Sequence, residues 1–97
     1  MDTIFALATA RGRAGVAVVR ISGDHAVLAA SAIMSDVPEK RGLRQILAED
    51  CSVLDEALVL FFAKGQSFTG EAVVELQLHG SLAVVAAVLD RLGRLPK

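Results

Sequence analysis

A chain of 97 residues is one domain at most. A compact monomer of that size buries only about 64 % of its chain surface, so a partner subunit would help it. Apolar residues make up 54 % and charged residues 22 %, a balance that excludes intrinsic disorder.

Four Phe, no Tyr, no Trp and a net charge of −1 argue against two kinds of nucleic-acid domain. One is the aromatic stacking platform for single strands, the other the strongly basic module. The single cysteine, Cys51, has no partner for an internal disulfide. With His25 and His79 it falls short of the four ligands of a structural zinc, so no metal is expected. The start of the chain carries Asp2 and no early cluster of Lys or Arg, unlike a secretory signal. The longest apolar-rich stretch, 82–89, is far short of the ~20 residues of a membrane helix. The chain is expected to be soluble and cytoplasmic, without membrane contact.

Taken in order, Thr3–Ala8 is a short apolar run read as a strand. Residues 9–15 hold two glycines and two arginines, the pattern of an exposed loop. The β-branched run 16–23 predicts a strand, aliphatic on both faces except at Arg20. A helix is predicted from Asp24 to Ser35, capped by Ser22 or Asp24, with Val27, Leu28, Ala30 and Met34 on one face. Pro38 and the Glu39-Lys40-Arg41 triplet mark a surface connection. Arg44–Ala48 and the second half of Val53–Ala63 read as a hairpin around a turn at 49–52. A polar loop at 64–70 leads into strict alternation, with Val74, Leu76 and Leu78 on one side and Glu75, Gln77 and His79 on the other. Ser81 is placed to cap a last helix over 82–92, apolar nearly all round and so expected to be deeply covered. The order β-β-α-β-β-β-α predicts an α+β fold, a mixed or antiparallel sheet packed with two helices, rather than a doubly wound parallel sheet.

Most chemistry-bearing motifs are missing. No lysine is followed by Ser or Thr as a P-loop requires, and Gly12 and Gly15 do not complete a dinucleotide fingerprint. Cys51 has no histidine nearby in sequence, so no nucleophilic catalyst is assigned. Arg20 stands out, because a guanidinium in an aliphatic strand needs an anionic or carbonyl partner. It is either a structural ion pair or a ligand contact. The Glu75-Gln77-His79 row is either a solvated sheet face or the polar wall of a cleft. In a cleft, Glu75 would accept two hydrogen bonds from the edge of an amidine-like heterocycle, as a carboxylate does for a pterin or a guanine. Arg11 and Arg13, with the Lys40/Arg41/Arg44 cluster, could meet a phosphate backbone or serve only solubility.

Several blocks closely resemble the N-terminal domain of the TrmE/MnmE tRNA-modification GTPases. They are Asp2-Thr3-Ile4, Gly12-Arg13-Ala14-Gly15-Val16, Arg20-Ile21-Ser22-Gly23, Leu54-Asp55-Glu56-Ala57-Leu58, Ser67-Phe68-Thr69-Gly70-Glu71, Val74-Glu75-Leu76 and His79-Gly80. Their order and spacing match over about residues 2–93.

The resemblance implies a folate-binding, homodimerising domain over residues 1–97, similar in fold to the tetrahydrofolate-binding aminomethyltransferases. The implied cofactor is a one-carbon folate of the 5-formyl-tetrahydrofolate type, held near the dimer interface. Arg20 and Glu75 fall on the family's folate contacts. Glu75 is expected on pterin N–H groups and Arg20 on a carbonyl or carboxylate, while His79 is a weaker candidate that would orient Glu75 or line the cleft. In the family the full-length protein also carries a helical domain and a GTPase domain that uses GTP and potassium. With the flavoprotein GidA/MnmG it modifies C5 of the wobble uridine of certain tRNAs. No catalytic residue is expected in these 97 residues. The alternative is a purely structural homodimerisation module, with Arg20 and Glu75 paired to each other.

Two positions depart from the family pattern. Ala72 stands where an Asp is usual after the glutamate of the Thr-Gly-Glu block, and Ser81 replaces a second glycine after His-Gly. The Pro-Gly-Glu-Phe block, and a later segment with a folate-contacting lysine, lie past the matched region. The chain is therefore read as a truncated form with an incomplete site and exposed apolar surface.

Overall fold

A computed structural model describes residues 4–9, 17–65, 70–79 and 81–95. The elements are β1 (Ile4–Thr9), β2 (Ala17–Ser22), α1 (Ala26–Ser31), β3 (Arg41–Leu47), β4 (Val53–Phe62), β5 (Val73–Leu78) and α2 (Leu82–Gly93). The strands form one sheet in the order β1-β2-β5-β4-β3, and every neighbouring pair is antiparallel. The α+β expectation and the hairpin joining β3 to β4 both hold.

Period-two alternation sorts the side chains onto two faces. Ala17, Val19 and Ile21 of β2, Val74, Leu76 and Leu78 of β5, Ala57 and Val59 of β4, and Ile46 of β3 are buried on one face. They pack with Ala26, Ala30, Ile33 and Met34 of α1 and its exit, and with Val85, Val88 and Leu92 of α2. Helix α1 lies against β2 and β5, and α2 against β1 and β4. Both helices thus cover the same face. The opposite face carries Val18, Arg20 and Ser22, then Val73, Glu75 and Gln77, then Leu58, Leu60 and Phe62, then Arg41, Leu43 and Gln45.

Helix α1 is shorter than the predicted 24–35 span. Neither Ser22 nor Asp24 caps it: the N-cap is His25, which makes no side-chain cap hydrogen bond. At the other end the Ser31 hydroxyl donates back to the carbonyls of Val27 (2.8 Å) and Leu28 (3.0 Å). Ala32 and Ile33 then bond three residues back, to Ala29 and Ala30. The last turn tightens and the helix stops. Strand β3, in turn, begins three residues earlier than the predicted Arg44.

Helix α2 begins as predicted, with the Ser81 hydroxyl accepting from the Val84 N–H at 3.3 Å. Its deep coverage does not materialise. Val85, Val88 and Leu92 are buried, but Ala83, Ala86 and Gly93 face solvent. The helix lies on the outside of a two-layer domain, and its outward positions are small residues and the charged Asp90, whose exposure costs little. Arg91 near its end donates from Nη2 to the Ala32 carbonyl at 3.2 Å, tying α2 to the exit of α1.

Among the described residues no helix is long and apolar enough to cross a membrane.

Candidate functional site

The open face of the sheet holds the residues that carry chemistry. Arg20 and Glu75 are 55 positions apart, yet they are direct cross-strand partners between β2 and β5. Arg20 Nη2 lies 3.4 Å from Glu75 Oε2. The Arg20 side chain is 48 % exposed and the Glu75 side chain 15 %. The carboxylate therefore sits in the floor of the face and the guanidinium lies over it. At that length the contact is a loose ion pair, worth about 0–1 kcal/mol.

The same row continues across β4 and β3. Glu75 is opposite Leu60, and Leu60 is opposite Arg41. On the β1 side, Ala6 is opposite Arg20 and exposed. The next row runs Val18, Gln77, Leu58, Leu43. Glu75 and Gln77 thus stand side by side with apolar neighbours on β4. This arrangement suits a flat heterocycle that needs hydrogen bonds at one edge and apolar contact at its face.

One end of β2 is polar as well. The Ser22 hydroxyl, 7 % exposed, donates to Glu71 Oε2 at 3.2 Å. Gly23 has φ 131°, and its N–H donates to the Ala72 carbonyl at 3.0 Å. The turn of the Arg-Ile-Ser-Gly block is thereby stitched to the approach to β5. Glu71, the glutamate of the Thr-Gly-Glu block, is part of this stitching.

His79 is placed differently from the expectation that it orients Glu75. It is four residues along the chain from Glu75, which puts it about 13 Å away. Its main-chain N–H donates to Asp55 Oδ2 at 2.7 Å. Its ring Nδ1 lies 3.3 Å from the Glu56 carbonyl oxygen. Asp55 Oδ1 also accepts from the Glu56 N–H at 2.8 Å. The Asp-Glu of the Leu-Asp-Glu-Ala-Leu block thus forms a bracket that holds the end of β5 against β4.

Asp55 and Glu71 were not singled out from the sequence as site residues. For Asp55 a signal existed: residues 55, 57 and 59 alternate onto the helix-covered face, where Ala57 and Val59 are buried. A carboxylate there calls for donors.

The basic cluster predicted at Lys40, Arg41 and Arg44 is not one patch. Arg44 pairs with Asp36, Nη2 to Oδ2 at 3.2 Å, and alternation puts it on the opposite side of β3 from Arg41. Arg11 and Arg13 lie outside the described residues. Cys51 is exposed in the β3–β4 turn. Among the described residues no three His, Cys, Asp or Glu side chains come together as a metal site.

An α+β domain of this kind has one face closed by helices and one amphiphilic face left open. Its sequence matches the family model for the N-terminus of the GTP-binding protein TrmE over residues 3–95, and the chain belongs to that family. Among its relatives is a tRNA modification GTPase MnmE of Cereibacter sphaeroides, 54 % identical over 97 residues, covering 99 % of this chain and 23 % of the relative. The protein of the same name in Roseobacter denitrificans is 53 % identical over 94 residues, covering 95 % and 22 %. That of Rhodospirillum rubrum is 50 % identical over 111 residues, covering 99 % and 24 %. The chain spans about a quarter of the length of these relatives.

Proposed function

We propose that this domain binds a one-carbon folate of the 5-formyl-tetrahydrofolate type on its open sheet face, with Arg20 and Glu75 as the principal contacts. The observation that carries this reading is the juxtaposition of Arg20 and Glu75 on that face, beside Gln77 and an apolar strand. Glu75 accepts from the pterin N–H groups, and the Arg20 guanidinium swings from Glu75 onto a carbonyl or carboxylate of the ligand. The loose pair makes this exchange cheap, because little ion-pair energy is lost. His79 takes a place at the rim, at the Gln77 end, rather than as a support for Glu75.

In this reading the domain resembles the tetrahydrofolate-binding aminomethyltransferases in fold. It forms a homodimer, which would add to the limited core that a domain of this size buries alone. It serves a cytoplasmic GTPase that modifies C5 of the tRNA wobble uridine together with the flavoprotein GidA/MnmG. GTP and potassium belong to a GTPase domain outside the present residues, and the folate supplies the one-carbon unit.

A second reading is favoured by the same distance. With charged ends 3.4 Å apart, Arg20 and Glu75 satisfy each other, as they would in a purely structural dimerisation module. Calorimetric titration of 5-formyl-tetrahydrofolate into the chain separates the two. Saturable binding that Glu75→Ala weakens supports the folate site. No binding by the folded wild-type chain supports the structural module.

A further inference from the structure

Five arginines fall among the described residues, and four of them have partners. Arg20 meets Glu75, Arg44 meets Asp36 and Arg94 meets Asp90. Arg91 donates to the Ala32 carbonyl. The Arg41 side chain has no hydrogen bond or ion pair among the described residues, and the residue is exposed.

Its position is specific. Arg41 opposite Leu60, Leu60 opposite Glu75 and Glu75 opposite Arg20 place four side chains in one line across four strands of the open face. Strands lie about 4.8 Å apart, so Arg41 and Arg20 are separated by about 14 Å along that line. Between Glu75 and Arg41 the row is apolar, and Leu58 and Phe62 flank Leu60 on the same face of β4. No acidic residue of β4 stands in Arg41's row or in the rows beside it. The face therefore presents, in order, a cation, a carboxylate, an apolar strip and a second cation with no ion pair among the described residues.

We infer that Arg41 is the specificity-determining contact for the carboxylate tail of the folate, and that the site prefers folates carrying additional γ-linked glutamates. The inference rests on the folate reading above. With the pterin at Glu75, the benzoyl ring crosses the apolar strip of β4 and the glutamate carboxylates arrive at Arg41. A guanidinium binds a carboxylate through two parallel N–H donors. Each added glutamate brings one more negative charge to that edge of the sheet, where Glu39 and Lys40 precede Arg41 and Arg41 is the cation that lies in the row of Glu75.

The test is titration calorimetry on the full chain with three probes. They are 5-formyl-tetrahydrofolate, its γ-linked triglutamate form, and a 5-formyl-tetrahydropterin lacking the benzoylglutamate tail. The wild type is expected to bind the triglutamate more tightly than the monoglutamate. Arg41→Gln is expected to weaken both tailed ligands about fivefold to tenfold, to erase the preference between them, and to leave the tail-less pterin unchanged. Glu75→Gln is expected to weaken all three.

If Arg41→Gln binds the tailed folates like wild type while Glu75→Gln does not, the role of Arg41 is overturned and the folate reading stands. Failure of the wild type to bind any of the three overturns the folate reading and this inference with it. Should Arg41→Gln fold poorly, the salt dependence of wild-type binding decides. It is expected to be steeper for the triglutamate than for the pterin, and equal slopes overturn the inference.

Discussion

Arg20 and Glu75 face each other across β2 and β5, with Nη2 and Oε2 3.4 Å apart and the arginine the more exposed of the two. The pair contributes little to stability, since an exposed ion pair is worth about 0–1 kcal/mol. Its value lies in position. Glu75→Ala is expected to weaken binding of 5-formyl-tetrahydrofolate by at least about 1.5 kcal/mol, the scale of a lost charged hydrogen bond. Thermal unfolding should stay nearly unchanged. Affinity equal to wild type in the folded variant removes Glu75 from the site. Arg20→Lys should bind like a loss of function, because an ammonium cannot reproduce a planar fork.

The bracket at Asp55 is expected to be structural. Its carboxylate accepts from the main-chain N–H groups of His79 at 2.7 Å and Glu56 at 2.8 Å. Asp55→Ala leaves both donors without that partner and should cost about 1–3 kcal/mol. In a domain of this size such a loss lowers the melting temperature by several degrees per kcal/mol. A melting curve superimposable on wild type would show that water replaces the carboxylate at no cost.

Cys51 occupies a position suited to glycine. It has φ 67°, at the turn where the Cys51 N–H donates to the Ala48 carbonyl and the Ala48 N–H donates to the Ser52 carbonyl, both at 2.9 Å. A left-handed backbone costs a side-chain-bearing residue about 1–2 kcal/mol, part of which glycine returns through its freer unfolded chain. Cys51→Gly should therefore stabilise the hairpin by about 0.5–1 kcal/mol, read from denaturant unfolding. A lower midpoint would mean that the thiol makes a contact of its own.

The same turn has a pH dependence. Asp50 Oδ1 accepts from the Ser52 hydroxyl at 2.6 Å and from the Ser52 N–H at 2.9 Å. These bonds hold the carboxyl below its ordinary value of 3.8, the hydroxyl contributing most. A folded-state value that is depressed means stability present above the ordinary value and lost as pH falls through the folded one. Acid titration of the melting temperature should show a small drop below that range in wild type. Asp50→Asn should remove that component, and an identical acid limb in both proteins would dissociate the turn from it.

The N-cap of α2 offers a further check on the fold. Ser81→Ala removes the acceptor of the Val84 N–H and should destabilise the domain by about 1 kcal/mol. Leu76→Ala, at a residue wholly buried in the middle strand β5, should cost about 2–5 kcal/mol. If the two variants unfold alike by denaturant titration, the sheet is not the main source of stability.

Which side chains share a face within one strand was already readable from residue order. Alternation from Val74 to Leu78 separates aliphatic from polar residues because a pleated strand has a period of two whatever its neighbours do. The start of α2 at Ser81 and the reversal at Gly23 were readable for the same reason, since caps and left-handed turns are decided by a few adjacent residues. The odd arginine of β2 and the glutamate of β5 could each be picked out, but not their contact. Strand pairing joins segments far apart in the chain, and the register that sets Arg20 against Glu75 comes from burying Val19, Ile21, Val74 and Leu76 together. The same nonlocal packing left the outer face of α2 in solvent, whereas the opposite sides of Arg41 and Arg44 on β3 and the distance of His79 from Glu75 follow from strand geometry alone. Local chemistry shapes the elements, while the shared core chooses which of their polar faces end up side by side.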